Sequence, residues 1–328
     1  MRTAAKGATG EAVMAPSERA QRWREGARQG SAEDQYCLAY CYSDGAEGLA
    51  ENKWMTEALF RKAAAQGHAR AQTNLGAMYY FGDGVEKNLE LASSFCRQSA
   101  ERADPSGQYR LGIMYEQGEG VLERNLELAV SWYRQAAEQG HLQAKCDLGR
   151  RLLGGDGVEK DVEAAVTWFR EAADAGHTDA QADLACCYAH GEGVTQNDAL
   201  AVQWWAKAVK GKAVKGGHVF ARYNLGMGYM HGKYGLPKNV ELAKAFMKSA
   251  ANRGCAEAKE ALQVLGRCAM ELEPGQCASC GAPDITRTCL GCRKVRYCTL
   301  ACQDQDWTSH KPDCGGLKTC LCFSCTDE

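Results

Sequence analysis

The residues best suited to chemistry in this sequence are cysteines and one histidine, crowded into a short segment. Between residues 277 and 314 the spacing runs C-x2-C, C-x2-C, C-x3-C and H-x3-C, which gives seven cysteines and one histidine. Zinc takes four thiolate or imidazole ligands in a closed tetrahedral site, so eight ligands predict two such sites. The spacing leaves open which pairs share an ion. The candidate ligands are Cys277, Cys280, Cys289, Cys292, Cys298, Cys302, His310 and Cys314.

Two closed zinc sites would support structure and not catalysis. Four protein ligands per ion leave no open position for an activated water, which disfavours a catalytic zinc. The segment is polar and poor in apolar residues, so metal binding must supply much of its folding free energy. A disulfide cluster or a set of unbound thiols is the alternative interpretation. It is disfavoured because the first fifteen residues lack the apolar stretch of a secretory signal.

The charge of this segment argues against nucleic acid as its ligand. Residues 277–314 carry five basic and four acidic side chains, a sum of +1. Seven thiolates and two Zn²⁺ ions add −3, which brings the loaded segment to −2 with a neutral histidine. The whole chain is also at −2, from 39 basic and 41 acidic residues, whereas binders of a phosphate backbone need a positive face.

The sequence before this segment is built from an internal repeat. A leucine, usually within the motif Ala/Gly-x3-Leu-Gly/Ala, recurs at steps of 37, 36, 37, 36, 41 and 37 residues. A tandem duplication explains the long step, because KAVKG stands at 207–211 and again at 212–216. A fixed period of roughly 20–50 residues is typical of repeat proteins. The leucines are Leu38, Leu75, Leu111, Leu148, Leu184, Leu225 and Leu262.

Each repeat is predicted to hold two helices. Apolar residues at helical spacing, as at Ala71, Leu75 and Tyr79, mark the first helix. Aromatic pairs such as Trp132-Tyr133 mark the second, and we expect them to fill the core and not to bind a ligand. Glycine can end each second helix in the left-handed conformation. These glycines include Gly67, Gly140, Gly176 and Gly254.

Four histidines follow the end of a second helix, one in each of four repeats. Neighbouring repeats in a stack of helices lie ~10 Å or more apart, so these side chains are too distant to share one metal ion. We therefore predict a structural or helix-capping role for them. They are His68, His141, His177 and His218.

One helix pair cannot bury its apolar stripe alone, whereas stacked pairs can. The sequence therefore predicts an all-α fold, a right-handed α-solenoid of about six helix pairs with a period of 36 residues over 16–267. Residues 16–30 and 256–267 each match half a repeat and are expected to cap the stack. No segment has ~18 uninterrupted apolar residues, so no membrane span is expected.

The pattern AxxxLGxxYxxGxGV resembles the Sel1-like repeat, a relative of the tetratricopeptide repeat, over about two-thirds of the chain. The unit that starts at Pro105 departs from the pattern, with Ala103 and Asp104 where other units have Gly-His. A proline at this place can stop a helix. The resemblance implies a scaffold or adaptor that presents a curved surface to other proteins, and it implies no reaction.

Residues 277–314 resemble a MYND-type zinc finger, also at positions that would not bind metal, such as Val295, Tyr297 and Lys311. The resemblance implies two interleaved zinc sites, and it implies a short proline-containing peptide that docks beside Gln303 and Trp307. Trp307 can also pack the last helix on the zinc core. The first site would use Cys277, Cys280, Cys298 and Cys302, and the second would use Cys289, Cys292, His310 and Cys314.

The tail carries Cys320, Cys322 and Cys325, which match no familiar set of four metal ligands. A third metal or a lipid attachment site is an alternative, but a flexible tail with free thiols is favoured. The expected organisation is a disordered N-terminus (1–15), the solenoid (16–267), a linker (268–276), the zinc finger (277–314) and the tail (315–328).

Together these features predict a non-enzymatic intracellular adaptor, cytoplasmic or nuclear, that holds one protein on the solenoid and a proline-containing peptide at a finger with two Zn²⁺ ions. The alternative is a RING-like ubiquitin ligase, or a recruiter of a ubiquitin or methylation enzyme. The run from Gln303 through Trp307 to His310 counts against the ligase, because it fits a MYND finger better. We expect no membrane partner and no nucleic-acid partner.

Overall fold

Fourteen α-helices and one short hairpin make up the part of the chain that the computed structural model describes, which is residues 16–120, 122–211, 218–268, 287–288 and 296–297. The hairpin pairs β1 (Arg287–Thr288) with β2 (Arg296–Tyr297) in an antiparallel ladder. Among the described helices, none has the length and apolar character that a membrane crossing requires. The helices are α1 (Glu18–Arg28), α2 (Ala32–Asp44), α3 (Lys53–Ala65), α4 (Ala69–Phe81), α5 (Leu89–Glu101), α6 (Pro105–Gln117), α7 (Leu126–Glu138), α8 (Leu142–Gly154), α9 (Val162–Asp174), α10 (Thr178–His190), α11 (Asp198–Lys210), α12 (Val219–His231), α13 (Val240–Ala251) and α14 (Ala256–Cys268).

The chain forms two compact units, Met1–Val214 with α1–α11 and Lys215–Glu328 with α12–α14 and the hairpin. Within each unit every helix packs against its neighbours in sequence, and α4 also contacts α6. This helical architecture confirms the predicted fold class. The hairpin was not predicted, because strands of two residues are too short to show an alternating pattern.

The repeated leucine lies at the centre of each helix pair, as predicted. Leu75, Leu148 and Leu184 are fully buried in the first unit, and Leu225 is 4% exposed in the second. A buried leucine contributes about 1.5–3 kcal/mol relative to an exposed one, so this position supplies a large apolar term in every repeat.

The aromatic pairs of the second helices are divided between core and surface. Tyr133 and Phe169 are buried, while the preceding residues, Trp132 and Trp168, are only half-buried. Successive residues on a helix point about 100° apart, so both members of a pair cannot face the same core. The predicted core role is therefore right for the second residue of each pair and only partly right for the first.

The predicted structural role of the four histidines is confirmed. Each stands at the N-cap of a first helix, where its Nδ1 accepts a hydrogen bond from the backbone N–H three residues later, at 3.1–3.3 Å. Ser31 and Asp104 occupy the same place before α2 and α6. The cap satisfies one of the free N–H groups that begin a helix, which is worth about 1 kcal/mol for the usual capping residues.

Pro105 begins a helix and does not stop one. It is the first residue of α6, where a proline loses nothing because that N–H has no helical partner. Asp104 caps the helix by accepting from the Gly107 N–H at 2.9 Å. Ala103 takes the left-handed conformation (φ 59°) that Gly67 and Gly140 adopt in other repeats. This unit therefore keeps the backbone of its neighbours with different side chains.

Acidification is expected to destabilise the repeats through these caps. Burial lowers the pKa of His141 and His177 below the usual 6.5, so the unfolded chain binds more protons than the folded one. The stabilisation is present above a pH of about 6.5 and is lost as the pH falls below it, because a protonated Nδ1 cannot accept from an N–H. Urea unfolding should therefore show a lower midpoint at a pH of about 5.5 than at about 7.5.

The double variant His141→Asn/His177→Asn tests this origin, since asparagine caps a helix without titrating. It should lose much of the difference between the two urea midpoints. The matched control is His190→Asn, because His190 is exposed and caps no helix. If the double variant keeps the full pH dependence, the caps are not its source.

Candidate zinc finger and interaction surfaces

The hairpin is the described part of the predicted zinc finger. Its register pairs Arg287 with Tyr297 and Thr288 with Arg296. Cys289 directly follows β1 and Cys298 directly follows β2. Because the strands are antiparallel, the chain leaves toward these two cysteines at opposite ends of the ladder. The eight predicted zinc ligands, with Gln303 and Trp307, lie outside the described residues.

The donor set fits zinc well. Seven thiols and one imidazole within 38 residues are the soft ligands of closed structural sites. Among the residues that the structure describes, no three His, Cys, Asp or Glu side chains are grouped so that they could hold a metal ion.

Burial makes several cysteines of the repeats poor nucleophiles. Burial raises the pKa of Cys37 and Cys96 to about 11 and that of Cys187 to about 12. Burial likewise raises the pKa of Cys146, and the nearby Asp183 carboxylate adds to the shift. A thiol needs to ionise to attack or to ligate, so these side chains stay protonated near neutral pH and act as small apolar residues.

A polar network ties together three successive first helices. The Tyr109 hydroxyl of α6 donates to Asp147 of α8 at 2.8 Å. Arg150 of α8 binds Asp147 at 3.1 Å and reaches Asp183 of α10 at 2.8 Å. The pairs that involve Asp147 and Asp183 are partly shielded, so they hold side chains in place more firmly than fully exposed ion pairs would. These contacts therefore link α6, α8 and α10 of the first unit through their side chains.

Comparison with protein families identifies the repeats and the finger. The family model of the Sel1 repeat matches residues 32–68, 69–104, 105–141, 142–177, 178–211 and 219–255. The chain belongs to the Sel1 repeat family. The model of the MYND finger matches residues 277–314. Sel1 repeats and MYND fingers mediate protein–protein interactions, and the MYND family implies zinc binding.

Solved Sel1 structures share this fold. A Sel1 repeat protein from Oxalobacter formigenes is 30% identical, with a TM-score of 0.62, over 71% of this chain and 97% of its own. The antigen c5321 of uropathogenic Escherichia coli, described as an SLR fold, is 29% identical with a TM-score of 0.63, over 74% of this chain and 50% of its own. Each matched Sel1 unit holds one first helix and one second helix, and α1 and α14 lie outside the matched units.

Two curated relatives match a short stretch of this Sel1 chain. The ubiquitin carboxyl-terminal hydrolase 19 of Arabidopsis thaliana is 41% identical over 51 residues, and the dauer abnormal formation protein 25 of Caenorhabditis elegans is 44% identical over 52. These stretches cover 15% and 16% of this chain but only 7% and 13% of the relatives. The similarity therefore concerns a shared segment and not a whole protein.

Proposed function

We propose that this protein is a non-enzymatic adaptor, which holds one protein on its Sel1 repeats and a proline-containing peptide of another at its MYND finger. The observation that carries the proposal is the presence of two interaction modules in one chain. The raised pKa of buried thiols such as Cys146 and Cys187 agrees with it, since burial makes these two side chains poor nucleophiles.

The proposal assigns two Zn²⁺ ions to the finger. One site uses Cys277, Cys280, Cys298 and Cys302, and the other uses Cys289, Cys292, His310 and Cys314. The resemblance to the MYND finger, whose family model matches residues 277–314, supports this interleaved assignment. When bound, each ion supplies cross-links between distant parts of a segment that has little apolar core of its own. Thiolate ligation also favours a reducing, intracellular compartment.

The peptide site is assigned to Gln303 and Trp307. Proline-containing segments hold an extended conformation before they bind, and an aromatic face packs against their rings at little cost in entropy. An amide side chain such as that of Gln303 can donate to and accept from the peptide backbone. Trp307 would then serve both the last helix of the finger and the ligand.

Capture of partners by the full-length chain tests the adaptor. Wild type and Trp307→Ala, both immobilised in the presence of zinc, would be exposed to the same cell lysate. We expect Trp307→Ala to lose one set of partners, enriched in proline-containing segments, while a second set stays on the repeats. The matched control Trp54→Ala removes a tryptophan of α3 that is 72% exposed. If wild type and Trp307→Ala recover the same proteins, the peptide site is wrong.

A second candidate is recruitment to the ubiquitin system. It is favoured by one observation, that a relative of the matched segment is named a ubiquitin carboxyl-terminal hydrolase. A ubiquitin-transfer assay with a panel of conjugating enzymes separates the candidates. An adaptor forms no ubiquitin chains by itself, whereas robust chain formation would replace the non-enzymatic proposal with a RING-like ligase.

A further inference from the structure

The first unit contains a groove between α2 and α4, above α3. Its cavity is about 190 Å³. Tyr40 and Phe81 stand at its sides and leave 53% and 68% of their surfaces in water. Phe60 and Met78, which are buried, form its floor. Two large aromatic side chains exposed around one cavity are typical of an interaction site and add little to a core.

The charge around this groove is negative. Asp44 is the last residue of α2, and Asp83 follows the glycine that ends α4. Both carboxylates therefore lie where the helix dipole already favours a cation and disfavours an anion. Lys53 Nζ lies 3.1 Å from a carboxylate oxygen of Asp83 and 3.4 Å from one of Glu51. Together with Asp44 there are three carboxylates and one ammonium, a net charge of −2 for these four side chains.

Asp44 lies at the end of α2, beside the Ser43 carbonyl that accepts from Lys53 Nζ at 3.3 Å. Its side chain forms no hydrogen bond and no ion pair with the residues that the structure describes. A carboxylate at a helix C-terminus costs stability. The Lys53 ammonium balances only part of the acidic charge there, and a bound cation from outside would balance more of it.

We propose that this aromatic–acidic groove, defined by Tyr40, Asp44, Asn74, Phe81 and Asp83, binds an extended peptide segment that carries one large apolar side chain flanked by lysine or arginine. The apolar side chain enters the cavity, the cation lies against the carboxylates, and Asn74 hydrogen-bonds the peptide backbone. The cavity is smaller than the ~300–1,000 Å³ of sites for small organic ligands, which favours a single side chain. This inference rests on one part of the proposed function, namely that the Sel1 repeats hold a second protein. It does not depend on the peptide site of the finger.

A random dodecapeptide library displayed on phage, panned against the full-length chain, tests the groove. We expect the enriched peptides to share an aromatic or branched apolar residue with lysine or arginine within two positions. Alternate residues of an extended segment face the same side, so this spacing presents both groups to the groove. Enrichment of acidic or uncharged peptides, or no enrichment, would overturn the proposal.

Variants then locate the binding of the enriched peptide, measured by fluorescence anisotropy. Phe81→Ala and Asp44→Lys should each weaken it about tenfold or more, as expected for a central anchor and for a reversed charge. Asp44→Lys should also bind the matched peptide with glutamate in place of lysine better than wild type does. Phe220→Ala is the control, since Phe220 is 55% exposed and belongs to α12. Unchanged affinity in both groove variants contradicts the assignment.

Two further measurements keep this test apart from the adaptor proposal. Because Phe81 is exposed, Phe81→Ala should keep the Tm within about 2 °C of wild type. A much lower Tm would show that the variant is unfolded. Trp307→Ala should bind the groove peptide as wild type does. If Trp307→Ala no longer binds the groove peptide, the peptide binds at the finger and not in the groove. If Trp307→Ala binds the groove peptide normally but recovers the same proteins from the lysate as wild type, only the proposed peptide site of the finger is wrong.

Discussion

Replacing Cys289 with alanine is expected to lower the zinc content from two ions per chain to one and to abolish peptide binding at the finger. Apparent binding free energies of structural zinc reach about 10–16 kcal/mol near neutral pH, and in a small module this is folding free energy. Removing one of four thiolate or imidazole ligands opens its site and leaves a segment with little apolar core. Native mass spectrometry of the reduced, purified chain counts the ions directly.

Two comparisons make this result specific. Cys320→Ala removes a thiol of the tail and should keep two ions, unless the tail contributes a ligand. The helical signal of the repeats should melt at the wild-type temperature in Cys289→Ala, because that residue lies outside the matched Sel1 units. A wild-type chain with any number of tightly held ions other than two would contradict the assignment of both sites.

The periodic part of the fold was predictable because it depends on local rules. A leucine that recurs at steps of 36 or 37 residues, with one step of 41, must be buried in each helix pair, and the structure buries Leu75 and Leu148 completely. The caps of the second helices follow a local rule too, although they were not among the predicted features. An asparagine or aspartate begins each one, as at Asn88, where its side chain accepts from the Leu91 N–H at 2.9 Å. The signal was an asparagine three residues before an apolar helix position.

The buried glutamines were also missed, since their partners are set by packing. Gln72 of α4 donates from Nε2 to the Ala64 carbonyl near the end of α3, at 3.2 Å. Gln181 repeats this contact with Ala173 at 3.1 Å. Polar residues on a first helix read as surface in the sequence, and only the approach of the previous helix end turns them into buried cross-links.

The groove could not be predicted because it arises from differences between repeats. Tyr40 occupies the place that Ala77 has in the next repeat, and at helical spacing an aromatic residue indicates core. The same place is half-buried or exposed in the described repeats, as at Ala77 and Ile113, so the exposure of the Tyr40 ring follows from the helix face on which it lies. The finger poses the same problem, since spacing identifies ligands but the sharing of an ion depends on how distant parts of the chain meet.

The glycine after the repeated leucine lets the second helix approach the first. At Gly149 an added Cβ would lie 2.6 Å from Cε1 of Phe169, well inside the contact distance of two carbon atoms. Phe169 is fully buried, so its ring has no free space into which it can move. The same place in another repeat, Gly226, faces the Cγ of Met247 at 3.1 Å, and a methionine side chain adapts more easily.

Gly149→Ala is therefore expected to destabilise the repeats by about 1–3 kcal/mol, in spite of the better helix propensity of alanine. Phe169→Ala should cost about 3–5 kcal/mol through the cavity that it leaves. Urea unfolding followed by far-UV circular dichroism measures both. The control Gly226→Ala should be close to neutral, because its neighbour can shift while the helix gains about 0.5–1 kcal/mol.

A smaller side chain in place of Phe169 should relieve the clash at Gly149. The double variant Gly149→Ala/Phe169→Leu is expected to be more stable than the sum of the two single changes predicts, because the leucine leaves room for the new methyl group. Additive losses would show that the ring and the glycine are not coupled. Equal losses in Gly149→Ala and Gly226→Ala would trace the effect to the backbone, and the close approach of the two helices would then not explain why this position is glycine.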